Sequence, residues 1–200
     1  CEDYPVEAVR IHLRADEQVV HATLRSNGAY WSDQVLGVEQ PPPSRWPKEL
    51  RQRAKDYIDA RFQLKLGPRT LDSLLLDARY FREPWQQGTR SLIVYELVYP
   101  RGSSPEQTLK GKATFFSEYQ KMTPQKHEPA ARADEIPADF RTILYIPGPK
   151  SRQLEVSLEH PDFEIPMADL TMGPWSRALD RGMALFEQLW LKVGTFVIMA

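Results

Sequence analysis

Cysteine occurs once in this chain of 200 residues, at position 1, so neither an internal disulfide nor a Cys-x-x-Cys zinc or redox site can form. A surplus of either charge is also missing. Lysine and arginine number 26 against 27 aspartates and glutamates, a net charge of -1, whereas a nucleic-acid binder normally carries a basic stripe to neutralise phosphates. No apolar run reaches the roughly 18 residues of a membrane-spanning helix; the nearest, 183–200, is interrupted by Glu187, Gln188 and Lys192. Glycine is scarce beside proline, 10 against 17, which favours stiff connections between short strands. The GxSxG nucleophile elbow, the HExxH zinc helix, the glycine-rich phosphate loop ending in Gly-Lys-Ser/Thr and GxGxxG are all absent.

The chain does carry enough apolar material for one generous domain, 42% hydrophobic with 10% aromatic. Val9, Ile11 and Leu13 alternate with Arg10, His12 and Arg14, and Val20, Ala22 and Leu24 alternate with His21, Thr23 and Arg25. Period two on both sides of Ala15-Asp16-Glu17-Gln18 predicts a hairpin with one buried face. Asn27-Gly28 marks a further turn, with the sheet continuing over 29–36. Pro41-Pro42-Pro43 is a stiff spacer. A helix over about 47–60 follows, in which Leu50, Ala54, Tyr57 and Ile58 share one face.

Phe62, Leu64 and Leu66 then alternate as a strand, turning at Gly67-Pro68 towards a partner strand through Leu74, Leu76, Ala78 and Tyr80. Residues 92–99 are apolar on both faces apart from Glu96, the pattern of a central strand. Further strands are predicted over 109–116, 141–146 and 154–158, with a long mobile loop about 120–139. The pattern specifies a mainly β, α+β fold: an antiparallel β-sandwich-like domain over 1–172 with one inserted helix. A C-terminal apolar helix over 173–200, carrying Trp175, Phe186 and Trp190 at helical spacing, docks on the domain, a partner or a membrane surface.

Candidate sites are few. A turn centred on Asp16-Glu17 sets His12 opposite His21, with Cβ atoms about 5 Å apart, close enough to share a transition metal. The neighbouring Arg10, Arg14 and Arg25 oppose a cation there, and favour anionic headgroups or an acidic partner instead. Trp31, Trp46 and Trp85 lie near Pro-rich or turn segments; they either clamp those segments or line a groove for an extended peptide or apolar ligand. Glu96 is expected to pair with Arg79, or, if buried alone, to act as an acid or base. His160 stands among Glu159, Asp162 and Glu164 in what reads as a solvated connection, without the glycine and spacing of a calcium loop. His127 lies in the polar loop. Trp190, Phe196, Val197 and Ile198 are the expected partner or membrane contacts at the chain end.

A first-position cysteine followed by Glu2, Asp3 and Tyr4 resembles the mature end of a bacterial lipoprotein, in which Cys1 carries the lipid. That resemblance implies a lipid-anchored protein on the periplasmic side of the cell envelope, and Glu2 is compatible with outer-membrane sorting. The order of helix 47–60, strand Phe62-Gln63-Leu64-Lys65-Leu66, the Gly67-Pro68 turn, the apolar strand 92–99 and an apolar C-terminal helix is similar to the extracytoplasmic domain of HupE/UreJ-like membrane proteins. It implies a periplasmic accessory domain and assigns no residue a role. The expected function is a non-enzymatic protein-binding or assembly module without cofactor, held to the membrane through Cys1. The alternatives are a periplasmic carrier of a small apolar ligand or transition metal, and a hydrolase using Glu96 or His160.

Overall fold

The alternating 9–27 segment forms its hairpin, in a different register from the one a turn on Asp16-Glu17 would give. A computed structural model describes residues 9–85, 88–102, 106–120, 141–147 and 151–171, without the side chains of 83–85, 88–90 and 119–120. Strands β1 (Val9–Ala15) and β2 (Val19–Asn27) pair Ile11 with Leu24, Leu13 with Ala22 and Ala15 with Val20. The turn is therefore centred on Glu17-Gln18. Asp16 fixes it: its N–H donates to the Val19 carbonyl at 3.0 Å, and its Oδ1 accepts from the N–H groups of Gln18 and Val19 at 2.8 and 2.9 Å. A carboxylate that captures two turn amides outweighs the alternative loop. Because the slip is two residues, the buried face is unchanged.

The sheet does not continue over 29–36. Asn27 Oδ1 accepts from the Ala29 N–H at 3.0 Å and starts a helical turn, α1 (Gly28–Tyr30), which runs into a π-helical turn over Trp31–Leu36. Gly37 closes it at φ 64°, in the left-handed region. This asparagine cap reverses the chain and drives Trp31 and Leu36, both fully inaccessible, into the core. Helix α2 (Lys48–Arg61) has Glu49 in its first turn and Arg61 in its last, matching the helix dipole, and buries Ala54 and Ile58. It ends where the backbone extends at Phe62, whose strand takes over directly.

The remaining elements are β3 (Phe62–Leu66), β4 (Arg69–Leu71), β5 (Leu74–Trp85), β6 (Gly88–Pro100), β7 (Thr108–Ala113), α3 (Ser117–Gln120), β8 (Thr142–Ile146), β9 (Arg152–Val156), β10 (Asp162–Pro166) and α4 (Met167–Leu170). The large sheet has the order β5-β6-β2-β1-β8-β9, the small one β10-β7-β3-β4. Among these strands pairing is antiparallel except between β1 and β8. The fold is thus mainly β with few helices. Leu74, Ala78 and Tyr80 belong to β5, which pairs with β6; the partner that β3 reaches through Gly67-Pro68 is the short β4. The stretch from Asp162, expected to be a solvated connection, is strand β10.

The two sheets share one core. Phe62 of β3 meets Tyr99 of β6 edge-on with ring centroids 6.3 Å apart, and stacks on Phe115 and Phe163, each at 6.1 Å. Trp31 reaches Tyr95 of β6 at 4.7 Å and Phe116 at 5.8 Å. Gly111 of β7 lies under the Phe163 ring, where a Cβ would stand 2.2 Å from its tip; only glycine admits the ring. Among the described residues no helix is long and apolar enough to cross a membrane.

Candidate functional site

The outer face of the large sheet collects most of the polar candidates, because the period-two pattern puts them all on the side away from the core. Register pairs Arg10 with Arg25 across β1 and β2, with Val94 beyond Arg25 and Ile143 beyond Arg10. The next row holds Asp77, Glu96, Thr23, His12, Tyr145 and Gln153 from β5 to β9. Arg14 faces His21 in the row after. The register thus gathers Arg10, Arg25 and Arg14 on one face.

His12 and His21 are not cross-strand partners: His12 is opposite Thr23, and the two imidazoles have separate neighbours. The His12 ring stacks on Tyr145 at 4.5 Å and 6° between planes. Desolvation of this ring, with Arg25 and Arg10 adding repulsion, holds its pKa below the ordinary imidazole value. His21 Nε2 meets Asp16 Oδ2 at 3.2 Å. Partial burial pushes the Asp16 carboxyl up, but the two turn amides and His21 outweigh it and leave the pKa lowered. Among the described residues no three His, Cys, Asp or Glu are grouped as a metal site.

Glu96 is half-exposed and accepts from the Arg79 guanidinium, which also meets Asp77 at 3.1 Å. The Arg79 group lies 5.9 Å from the Phe81 ring centre, and Phe81 and Leu74 are exposed on the same face. Sequence reasoning missed this apolar margin because the bulge between Leu75 and Asp77 changes which residues of β5 face outward.

Trp31 and Trp46 do not line a groove. They are 0% and 4% exposed and both pack on Tyr95, Trp46 at 5.7 Å and nearly perpendicular. Trp46 Nε1 donates to the Pro42 carbonyl at 2.7 Å, and the Tyr80 N–H donates to Pro43 at 3.1 Å, so the proline spacer is fastened to β5. Arg51 donates to the Leu75 and Leu76 carbonyls at 2.8 and 3.1 Å, covering more of that sheet edge. His160 is exposed, its N–H donating to Ser157 Oγ at 3.1 Å. Cys1, His127, Trp175, Phe186, Trp190, Phe196, Val197, Ile198 and the Trp85 side chain lie outside the described residues, as do 121–139 of the expected loop and all of 173–200.

A second feature was invisible to periodicity: a cleft of about 720 Å³ between the 28–40 segment and the β5–β6 hairpin. Beside it the chain packs closely on β5, since a Cβ on Gly28 would stand 2.8 Å from the Tyr80 ring. The walls carry Asp33 and Glu39 on one side and Tyr80, Arg82 and Ser91 on the other. Arg82 and Ser91 face each other across β5 and β6, in the alternation that places Ala78, Tyr80, Ile93 and Tyr95 in the core. The core pattern thus turns polar where the cleft opens.

The chain matches no known protein-family model and no curated protein sequence.

Proposed function

We propose that this chain is a non-enzymatic envelope lipoprotein, anchored by lipid on Cys1, that binds an acidic protein surface through the outer face of its large sheet. The observation that supports this most is the Arg10–Arg25 pair, set beside Arg14 and the His12–Tyr145 stack. Three arginines gathered on one face of the sheet complement an acidic surface. The exposed Leu74 and Phe81 at the margin add apolar area to the same face. A single acyl chain binds membranes only marginally, so stable anchoring implies more than one chain on Cys1.

The test is a photo-crosslinking amino acid at Thr23, in the middle of the face, compared with one at Gln63 on the outer side of β3. Discrete crosslinked partners from position 23 alone are expected; equal or no crosslinking from both would reject the reading. The anchor has its own test: Cys1→Ser shifts the native protein from the membrane to the soluble fraction, and unchanged fractionation would contradict it.

A further inference from the structure

At the cleft beside the π-helical turn, the core-facing side of β5 presents an exposed charge. Along β5 the inward positions are Ala78, Tyr80 and then Arg82, and along β6 they are Tyr95, Ile93 and then Ser91. Continued apolar residues there would have closed the sheet against the 28–40 segment. Arg82 and Ser91 instead leave an open, polar wall. The opposite wall supplies carboxylates, Asp33 from the π-helical turn and Glu39 from the loop after Gly37. Asp33 accepts a hydrogen bond from the adjacent Gln34 amide, whereas neither Glu39 nor Arg82 has an ion-pair partner among the described residues.

Opposite charges that share one cleft without pairing are complementary to a ligand that carries both signs. We propose that this cleft binds a small zwitterion, its amine held between Asp33 and Glu39 and its carboxylate held by Arg82, with Ser91 donating a second hydrogen bond. An arginine fork suits a carboxylate because two parallel N–H groups meet its two oxygens. A volume of about 720 Å³ falls in the range of small-molecule sites, roughly 300–1,000 Å³. A simple cation gains nothing from Arg82, and a simple anion faces two carboxylates. This site lies on the core side of the β5–β6 hairpin, away from the outer face argued to meet a protein partner, so either reading stands or falls without the other.

Isothermal titration calorimetry on the full chain decides it, using a series of α,ω-amino acids from glycine to 6-aminohexanoate, with hexylamine, hexanoate and glucose as controls. At least one zwitterion is expected to bind at least about tenfold more tightly than either singly charged control. Arg82→Gln and Glu39→Gln are each expected to lower that affinity by about tenfold or more, with unchanged melting temperatures because both residues are exposed. No binding by any zwitterion, equal binding by hexylamine or hexanoate, preference for glucose, or indifference to both substitutions would overturn the proposal.

Discussion

The two faces of the large sheet are built from the same strands, residue by alternate residue, and differ in almost every physical respect. Inward, Ile11, Leu24, Tyr95 and Tyr99 are buried in one core, where Tyr95 meets Trp31 and Tyr99 meets Phe62. Outward, Arg14, His12 and Arg25 stand exposed, and Arg79 is shared between Glu96 and Asp77. The inner face derives its stability from area removed from water and from close packing. The outer face contributes little stability, because exposed ion pairs are screened and their side chains lose entropy on pairing. Side chains on the outer face are therefore free to be selected for what they meet.

The largest expected effect comes from removing an inner-face ring. Trp31→Ala should destabilise the protein by about 3–5 kcal/mol in urea unfolding, since it takes away contacts with Tyr57, Tyr95, Phe115 and Phe116 together. A loss under about 1 kcal/mol would break the comparison. Gly111→Ala should cost about 1–3 kcal/mol by overpacking, because the new methyl meets Phe163; an unchanged unfolding midpoint would show that the ring can move aside.

On the outer face the effects are smaller and depend on pH. The folded pKa of His12 lies below that of the unfolded chain, so between the two values the unfolded state binds more protons. Stability should therefore decline as pH falls from about 6.5 and level off below the folded pKa. In His12→Asn that part of the decline should disappear from urea midpoints measured between about pH 7.5 and 5. An identical pH dependence in both proteins would contradict the assignment. Arg79→Ala should change stability by no more than about 1 kcal/mol, despite losing contacts with two carboxylates. A cost of several kcal/mol would mean that the outer face is structural after all.

Much of the fold was legible because alternation reports burial directly. Helix α2, the two strands of the first hairpin, β3 and the strand through Glu96 lie where the period puts them, and Arg79 is the partner expected for Glu96. The errors share a physical cause, namely short polar side chains that redirect the backbone. Asp16 moved the turn by one residue on each strand and separated His12 from His21. Asn27 replaced a strand with a helical turn and carried Trp31 into the core, away from any surface groove. The cleft was not legible at all, since Asp33 and Glu39 on one wall are more than 40 residues away in sequence from Arg82 and Ser91 on the other. The parallel pairing of β1 with β8 is equally non-local.

The central claim, that the outer face binds while the inner face stabilises, is tested most directly by Arg25→Glu measured two ways on one sample. The melting temperature should stay within about 2–4 °C of the native value, the shift that 1 kcal/mol produces in a domain of this size. Crosslinking from position 23 should be lost. A large fall in melting temperature with crosslinking intact would contradict the account.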